Sequence, residues 1–294
     1  MATQSPVRTT DSTRHLRRKL MNYLFVALAS LATLIAVTAL VMILASLVSK
    51  GLGGINGFVF TQDQPGGGAN LGDGGLRNGL VGSLILCAIG MVLSLVIGIL
   101  AGTWLAEYGD GNKLAGVVRF INDVLLSAPS ILVGLFVYQL LVSHVVGHFS
   151  GLAGGVALAF LATPVVTRTT EDILRLQSNQ LREAGVALGA GKGLVIRSII
   201  WKASRTGLVT GGLLGFARIS GETAPLLFTA LGNPYLSFNL GQPMASLPTI
   251  IFNFALSADE NWVRLAWAAS LIIAAFVLSV NVIGRALARG SQHK

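Results

Sequence analysis

YLFVALASLATLIAVTALVMILASLV, residues 23–48, is an apolar run without a single Asp, Glu, Lys or Arg. At ~1.5 Å per helical residue it measures roughly 39 Å. The hydrocarbon core of a bilayer is only about 30 Å thick, so a helix over this run spans it with some tilt. The basic group before it, Arg14, Arg17, Arg18 and Lys19, has the look of a secretory leader. The apolar core of a leader is only about 7–15 residues long, however, so the run predicts an uncleaved anchor helix.

Five more runs follow outward along the chain: about Gly79–Leu105, Val124–Val146, Leu152–Thr167, Gly207–Leu231 and Trp262–Gly284. Pro164 falls near the end of the fourth, where neighbouring helices can satisfy the carbonyl it frees. The expectation is an all-α integral membrane protein of six spans, with both termini on one side. Composition agrees. Of 294 residues 53% are hydrophobic and 11% charged, against about 25% charged in soluble domains. The net charge of +9 does not indicate nucleic acid, because the cations sit at the ends of apolar runs, where topology explains them. Cys87, the only cysteine, lies inside a run and can form no internal disulfide.

The cations also set the orientation. One face carries Arg8, Arg14, Arg17, Arg18, Lys19, Lys113, Arg119 and the basic residues between Arg168 and Arg205, together with Arg285, Arg289 and Lys294; the other carries only Lys50, Arg77 and Arg264. The positive-inside rule then puts both termini in the cytoplasm of a bacterial plasma membrane. The organisation expected is a basic tail over 1–22, a first span over 23–48, a glycine-rich external loop over 49–78, a core over 79–284 and a second tail over 285–294. The loop, with Gly51, Gly53, Gly54, Gly66, Gly67, Gly68, Gly72, Gly74 and Gly75, reads as flexible.

The cytoplasmic segment 168–206 has helical content. Ser178 or Asn179 could cap a helix starting near Leu181. Glycines 189, 191 and 193 break it, and Val195, Ile196, Ile199 and Ile200 then share a helical face. A helix–turn–helix along the membrane surface fits. Gly191-Lys192 is no nucleotide loop: Val186 stands where the first glycine of a Walker sequence belongs, and Gly193 replaces the hydroxyl that holds magnesium. If ATP drives this chain, another subunit binds the ATP and its Mg; no cofactor is expected here.

Glu183-Ala184-Gly185-Val186-Ala187-Leu188-Gly189 resembles the Glu-Ala-Ala, three residues, Gly signature of ABC-importer permeases. In that family the segment is a cytoplasmic coupling helix that docks on the ATPase. Gly185 in place of the second Ala keeps the residue small but weakens the helix by up to about 1 kcal/mol. Lys202-Ala203-Ser204, where the wider family often has Leu-Pro, narrows the likeness to the phosphate A-type branch. Ala217-Arg218-Ile219-Ser220-Gly221-Glu222-Thr223-Ala224-Pro225-Leu226-Leu227 resembles a segment of phosphate importer permeases. So do stretches 127–136, 164–171 and 247–252. The likeness runs from about Gly79 to Arg289, in the family's order, and is to the A-type permease subunit (PstA family) of bacterial phosphate importers.

That resemblance implies the six-helix type I permease architecture with a coupling segment over about 178–202, using Arg182, Glu183, Ala184, Gly185 and Gly189 against the ATPase. It implies a related C-type permease subunit, an ATPase dimer and an external phosphate-binding protein as partners, inorganic phosphate as cargo, and no chemistry in this chain. A substrate pathway would use Arg218, Glu222 and Thr223. A charge near the bilayer centre costs at least about 2.5–3.5 kcal/mol, so Arg218 and Glu222 need partners. Their i, i+4 spacing allows a mutual salt bridge; alternatively Arg218 offers its fork of donors to phosphate while Glu222 keeps the anion from being trapped. Gly207, Gly211 and Gly215 recur every fourth residue, as packed membrane helices allow. They serve either bundle packing or contact with the second permease subunit. The basic segment could also be a bare topology determinant on anionic lipid, which needs neither Glu183 nor Gly189. His144 and His148 read as interfacial residues with no metal. Rival classes are a permease for another oxyanion such as sulfate or molybdate, a stand-alone secondary transporter, which needs an internal repeat, and a membrane enzyme, which needs more acids or histidines within the spans.

Overall fold

The computed structural model describes residues 12–65 and 74–290, and every regular element among them is a helix. The chain divides into two compact units, Met1–Ser49 and Lys50–Lys294. The first is the bulk of one helix, α1 (Ser12–Gly54). Its side chains are exposed on nearly every side from Arg14 to Ser49. A helix apolar all round is one whose surroundings are lipid or protein rather than water. It starts eleven residues earlier than the apolar run, so Arg14, Arg17, Arg18 and Lys19 ride on its opening turns.

The second unit holds α2 (Gly57–Thr61), α3 (Arg77–Tyr108), α4 (Lys113–Ser127), α5 (Ser130–Val146, wound as a π-helix from Tyr138), α6 (Gly151–Arg175), α7 (Asn179–Ala187), α8 (192–203), α9 (Arg205–Ile219), α10 (Ala224–Thr229), α11 (Leu247–Ala255) and α12 (Glu260–Gly290). α6 is the central helix. Small residues let its neighbours approach until backbones touch. On α3, a Cβ at Gly90 would lie 2.9 Å from Leu158 Cβ, at Gly98 2.8 Å from Val166 Cβ, and at Gly102 2.5 Å from the Thr167 carbonyl. Rising numbers meet rising numbers, so α3 and α6 run parallel. α9 covers another side of α6 in the opposite direction, with Gly207 against Ile173, Gly211 against Thr169 and Gly215 against Val166. α12 lies along α9, placing Gly284 on Leu213 and Phe276 edge-on to Phe216 at 6.1 Å.

Among the described residues four helices are long and apolar enough to cross a membrane: Arg14–Gly54, Arg77–Tyr108, Gly151–Arg175 and Glu260–Ala286. Two of the six expected spans are not continuous helices. The run 124–146 is bent by 109° between α4 and α5, because Pro129 forces Ala128 into extended backbone, φ −67° and ψ 135°. The run 207–231 stops at Ile219 and resumes at Ala224. Pro225 cannot donate within a continuing helix, and its ring would meet the preceding turn, so it opens a new helix instead. The fourth span is longer than 152–167: α6 passes through Pro164, whose carbonyl accepts from Asn122 Nδ2 of α4 at 3.2 Å.

Described parts of the glycine-rich segment are packed into the second unit. Gly66, Gly67, Gly68 and Gly72 lie outside the described residues. Gly51 and Gly54 close α1, packed on Leu271 and on the Arg264 carbonyl. Asn56 caps α2 by accepting from Val59 N at 3.0 Å, and Val59 is fully buried beside Leu76 and Ile250. Gly75 sits where a Cβ would lie 2.2 Å from the Phe58 carbonyl. Gly51, Gly54 and Gly75 serve close packing, which a count of glycines cannot distinguish from flexibility.

Candidate functional site

The hairpin α7–α8 forms where the sequence places it. Ser178 occupies the N-cap position, but its hydroxyl makes no capping bond; its carbonyl instead accepts from Leu181 N at 3.2 Å. Gly189 ends α7 with φ +80°, a left-handed backbone that glycine adopts without strain. The Gly189 amide donates to the Val186 carbonyl at 2.9 Å and the Ala190 amide to the Gly185 carbonyl at 3.3 Å. That pair of bonds is a Schellman closure, and it accounts physically for a glycine at this position. Gly185 is buried against α8, where a Cβ would lie 2.8 Å from Val195 Cγ2. The departure from Ala therefore matches a β-branched partner that leaves no room for a methyl. With α7 seated this way, Glu183, Ala184, Val186, Ala187 and Leu188 are left exposed, Leu188 at 87%.

Arg182 points the other way. Its Nη2 donates to Glu107 Oε1 at 2.7 Å, and its Nε lies 3.0 and 3.1 Å from the two carboxylate oxygens. Remaining donors reach the carbonyls of Leu174 (2.8 Å) and Gln177 (2.6 Å) at the end of α6. Expected on the outer, partner-facing surface, Arg182 is instead turned inward. Lys192 of α8 donates to the Glu107 carbonyl at 2.6 Å and lies 4.0 Å above the Tyr108 ring. Beside them the buried Glu171 takes Arg119 Nε at 2.8 Å and Arg175 Nε at 3.2 Å, and Asp110 takes Arg175 Nη2 at 3.1 Å. Glu107 was not singled out from the sequence. It follows an apolar run, as a solvated flank does, and its partner is 75 positions away.

Arg218 and Glu222 do pair, Nη1 to Oε1, but not on one face of a continuous helix. Arg218 is in the last turn of α9, whereas Glu222 stands in the four-residue break, its amide donating to the Ile219 carbonyl at 3.2 Å. Thr223 is the N-cap residue of α10, where its carbonyl accepts from Leu226 and Leu227 N, both at 3.1 Å. The Arg218 side chain is 43% exposed and that of Glu222 11%. The break thus presents a guanidinium with a single ion-pair contact, beside backbone released from helical hydrogen bonding.

Residues 94–293 match the family model described as the binding-protein-dependent transport system inner membrane component. The phosphate transport system permease protein PstA of Xylella fastidiosa (strain Temecula1) is 47% identical over 92% of this chain and 93% of its own length. The protein of the same name from Haemophilus influenzae is 46% identical over 95% of this chain and 98% of its own. The chain belongs to the PstA family. In fold it is similar to a chain of the MetNI methionine ABC transporter in an inward-facing conformation, with TM-score 0.62 and 20% identity over 74% of this chain and 95% of that one. The architecture is that of a type I ABC-importer permease.

The remaining residues singled out from the sequence find plain positions in this PstA-family fold. The stripe of Gly207, Gly211 and Gly215 faces the chain's own α6; as a contact with a second subunit it is therefore corrected, since the space a partner helix would take is filled. His144 Nδ1 lies 2.5 Å from the Gln139 carbonyl and His148 Nδ1 3.1 Å from that of Phe149. No group of three metal-ligating side chains occurs among the described residues. A second missed feature was legible in principle: Gly82, Gly90, Gly98 and Gly102 of α3 are buried at multiples of four, the same pattern that was noticed on α9.

Proposed function

We propose that this chain is the transmembrane permease subunit of an ATP-driven importer of inorganic phosphate, forming half of the translocation pathway. The substrate rests on relatives that are named phosphate transport permeases at 46–47% identity over almost the whole chain, which leaves sulfate or molybdate without support. The observation that carries the mechanism is the hairpin: α7 is seated by Gly185 and closed by Gly189, yet its outer surface at Glu183 and Val186–Leu188 has nothing on it. A helix held this firmly with an apolar and acidic face uncovered suits docking by another protein. That partner is an ATPase, which binds the ATP and Mg. A related C-type permease supplies the other half of the pathway, and an external binding protein delivers phosphate. The basic-residue asymmetry supports a cytoplasmic location for both termini and the hairpin.

In this mechanism closure of the ATPase pair on ATP pushes the hairpin, and the bundle switches access from one side to the other. Arg218 contacts the anion in passing. Its planar fork can donate two parallel bonds to phosphate oxygens and keeps its charge. Glu222 competes for the same donors, which keeps the anion's stay short. Purification of the native complex tests the whole reading. An ATPase and a second permease should copurify, and Glu183→Arg should strip the ATPase while leaving this chain inserted. An ATPase that stays bound to the Glu183→Arg variant with normal phosphate uptake would remove the docking role.

A further inference from the structure

We infer that the Arg182–Glu107 pair is the latch through which movement of the coupling hairpin reaches the α3–α6 core of the bundle. The inference rests on the docking role proposed for the hairpin and assigns the residues that carry its motion inward. α7 leads on into α8, and its sequence connection back to α6 runs through residues 176–178, where Leu176 is 82% exposed. So short and uncovered a link can bend, and a push on α7 would be lost in it. Arg182 bypasses the link. One guanidinium holds both Glu107 oxygens at the last turn of α3 and the Leu174 and Gln177 carbonyls at the end of α6. Both partners are enclosed, with side-chain exposures of 21% for Arg182 and 3% for Glu107. α8 is fastened to the same end of α3, because Lys192 donates to the Glu107 carbonyl at 2.6 Å.

What the latch grips is stiff. α3 and α6 approach closely enough that no side chain fits at Gly90, Gly98 or Gly102, and packing of that density moves as a body. α9, which carries Arg218 at its far end, lies on α6 through Gly207, Gly211 and Gly215. Displacement of α7 is therefore passed by Glu107 to α3 and α6 together, and by them to the helix that bears the pathway arginine. Arg182 and Glu107 are positioning residues and touch no substrate. A buried ion pair serving stability alone is often replaceable without loss, so stability cannot distinguish the two roles; transport per ATP can.

The deciding measurement uses the complete transporter in liposomes and reads phosphate delivered per ATP hydrolysed for Arg182→Lys, Glu107→Gln and the double variant. Arg182→Lys keeps the charge but loses the fork, and Glu107→Gln keeps the shape. Each single should lower the ratio about tenfold with the ATPase still bound, and the double should fall no further than the worse single, as residues acting as one unit do. If Glu107→Gln fails to assemble, Arg182→Lys against Arg182→Met carries the comparison, with Lys partly restoring a ratio that Met abolishes. An unchanged ratio in the singles, or losses that multiply in the double, would overturn the latch. Glu183→Arg, measured in parallel, keeps the outcomes apart: an unaffected Glu183→Arg removes the docking role, whereas a stripped ATPase there with normal ratios at 107 and 182 removes only the latch.

Discussion

Arg182 and Arg218 each face a carboxylate, and their surroundings differ in every respect that governs what an arginine can do. Arg182 spends its donors on both oxygens of a carboxylate that is 3% exposed and on carbonyls at a helix end. Arg218 makes one ion-pair contact, is 43% exposed, and stands at a break between two helices. A guanidinium whose fork is fully used fixes geometry; one with donors to spare can bind an anion that arrives and leaves. The same residue type thus performs a positioning task at the hairpin and a recognition task at the break. The difference comes from local backbone: carbonyls at a helix terminus attract the first, while an interrupted helix opens space around the second.

The strongest way to break that contrast is to make Arg218 unable to recognise anything. Replacing Arg218 with Met and Glu222 with Leu removes both charges at similar volume. If the pair only neutralised itself, the change would be harmless or stabilising, since buried ion pairs often fail to recover their desolvation. With recognition as the task, vesicle uptake of phosphate, normalised to assembled complex, should fall at least about a hundredfold. One or two lost charge-assisted hydrogen bonds at roughly 1.5–3 kcal/mol each account for that loss. Arg218→Lys should be impaired nearly as much, because a point ammonium replaces a planar fork, and Glu222→Gln should be milder. Normal uptake by the double apolar variant would return Arg218 to packing.

Next in size is the hairpin, where the contrast is sharpened by loosening the element that Arg182 holds. Gly189→Val puts a β-branched residue at φ +80°, a conformation such residues scarcely adopt, and should cut retention of the ATPase on affinity-purified complex by about tenfold, a cost of about 1.4 kcal/mol, in the range of 1–3 kcal/mol for a residue forced into a sparsely populated backbone region. Gly185→Ala should act more weakly by pressing on Val195, and Val195→Ala in the same chain should restore binding by making room. Loss at Gly189 without rescue at Gly185 would mean that the face of α7, rather than its seat on α8, is what the partner reads.

How much of this was legible beforehand depended on range. Apolarity reports what surrounds a segment, so α3 and α12 were read at close to their limits, whereas α1 runs past its apolar stretch at both ends. It does not report backbone continuity. Pro129 and Pro225 were both in view, yet the runs around them were taken as unbroken because their neighbours were apolar. α6 was read as short for the complementary reason: most of it is buried in protein, so it can hold the buried Thr167, Thr170 and Glu171 where a lipid-facing helix cannot. Local chemistry was legible too. The glycine that closes α7 and the fourfold glycines of α9 both act as backbone geometry requires. Partners across the fold were not. Nothing in the sequence connects Glu107 to Arg182, and a helical spacing of four says that a face is smooth without saying which helix lies on it. The residues that matched their expected partner, Arg218 and Glu222, are four apart, where chain connectivity does most of the selection.

The smallest expected effect belongs to a third pair, the least enclosed of the three. Asp63 takes Arg77 Nε at 2.9 Å through Oδ1 and the Leu236 amide at 2.9 Å through Oδ2, with side-chain exposures of 18% for Asp63 and 43% for Arg77. Beside it Asn78 donates to the Asn233 carbonyl at 2.7 Å, so the two contacts together tie the segment after α10 to the base of α3. Partial burial pushes the Asp63 carboxyl upward, but the hydrogen bonds from Arg77 and Leu236 and the Arg77 charge outweigh it and leave the group below its ordinary value of 3.8. A carboxylate with a lowered folded value contributes stability that is fully present above the unfolded value, near 4, and is lost as the pH falls through the folded one. At neutral pH the tie is intact, and Asp63→Asn should weaken it by less than about 1 kcal/mol, the range of partly exposed pairs. Hydrogen exchange of the Leu236 amide is the measure. Relative to its intrinsic rate it should quicken by no more than about fivefold in Asp63→Asn at pH 7. The parent chain should show the same quickening only below about pH 4, a transition that the variant lacks. A much larger effect at pH 7 would put Asp63 with Glu107, as a fixed point of the bundle, and would show that exposure alone, 43% at both Arg77 and Arg218, does not mark an arginine as free to serve an anion.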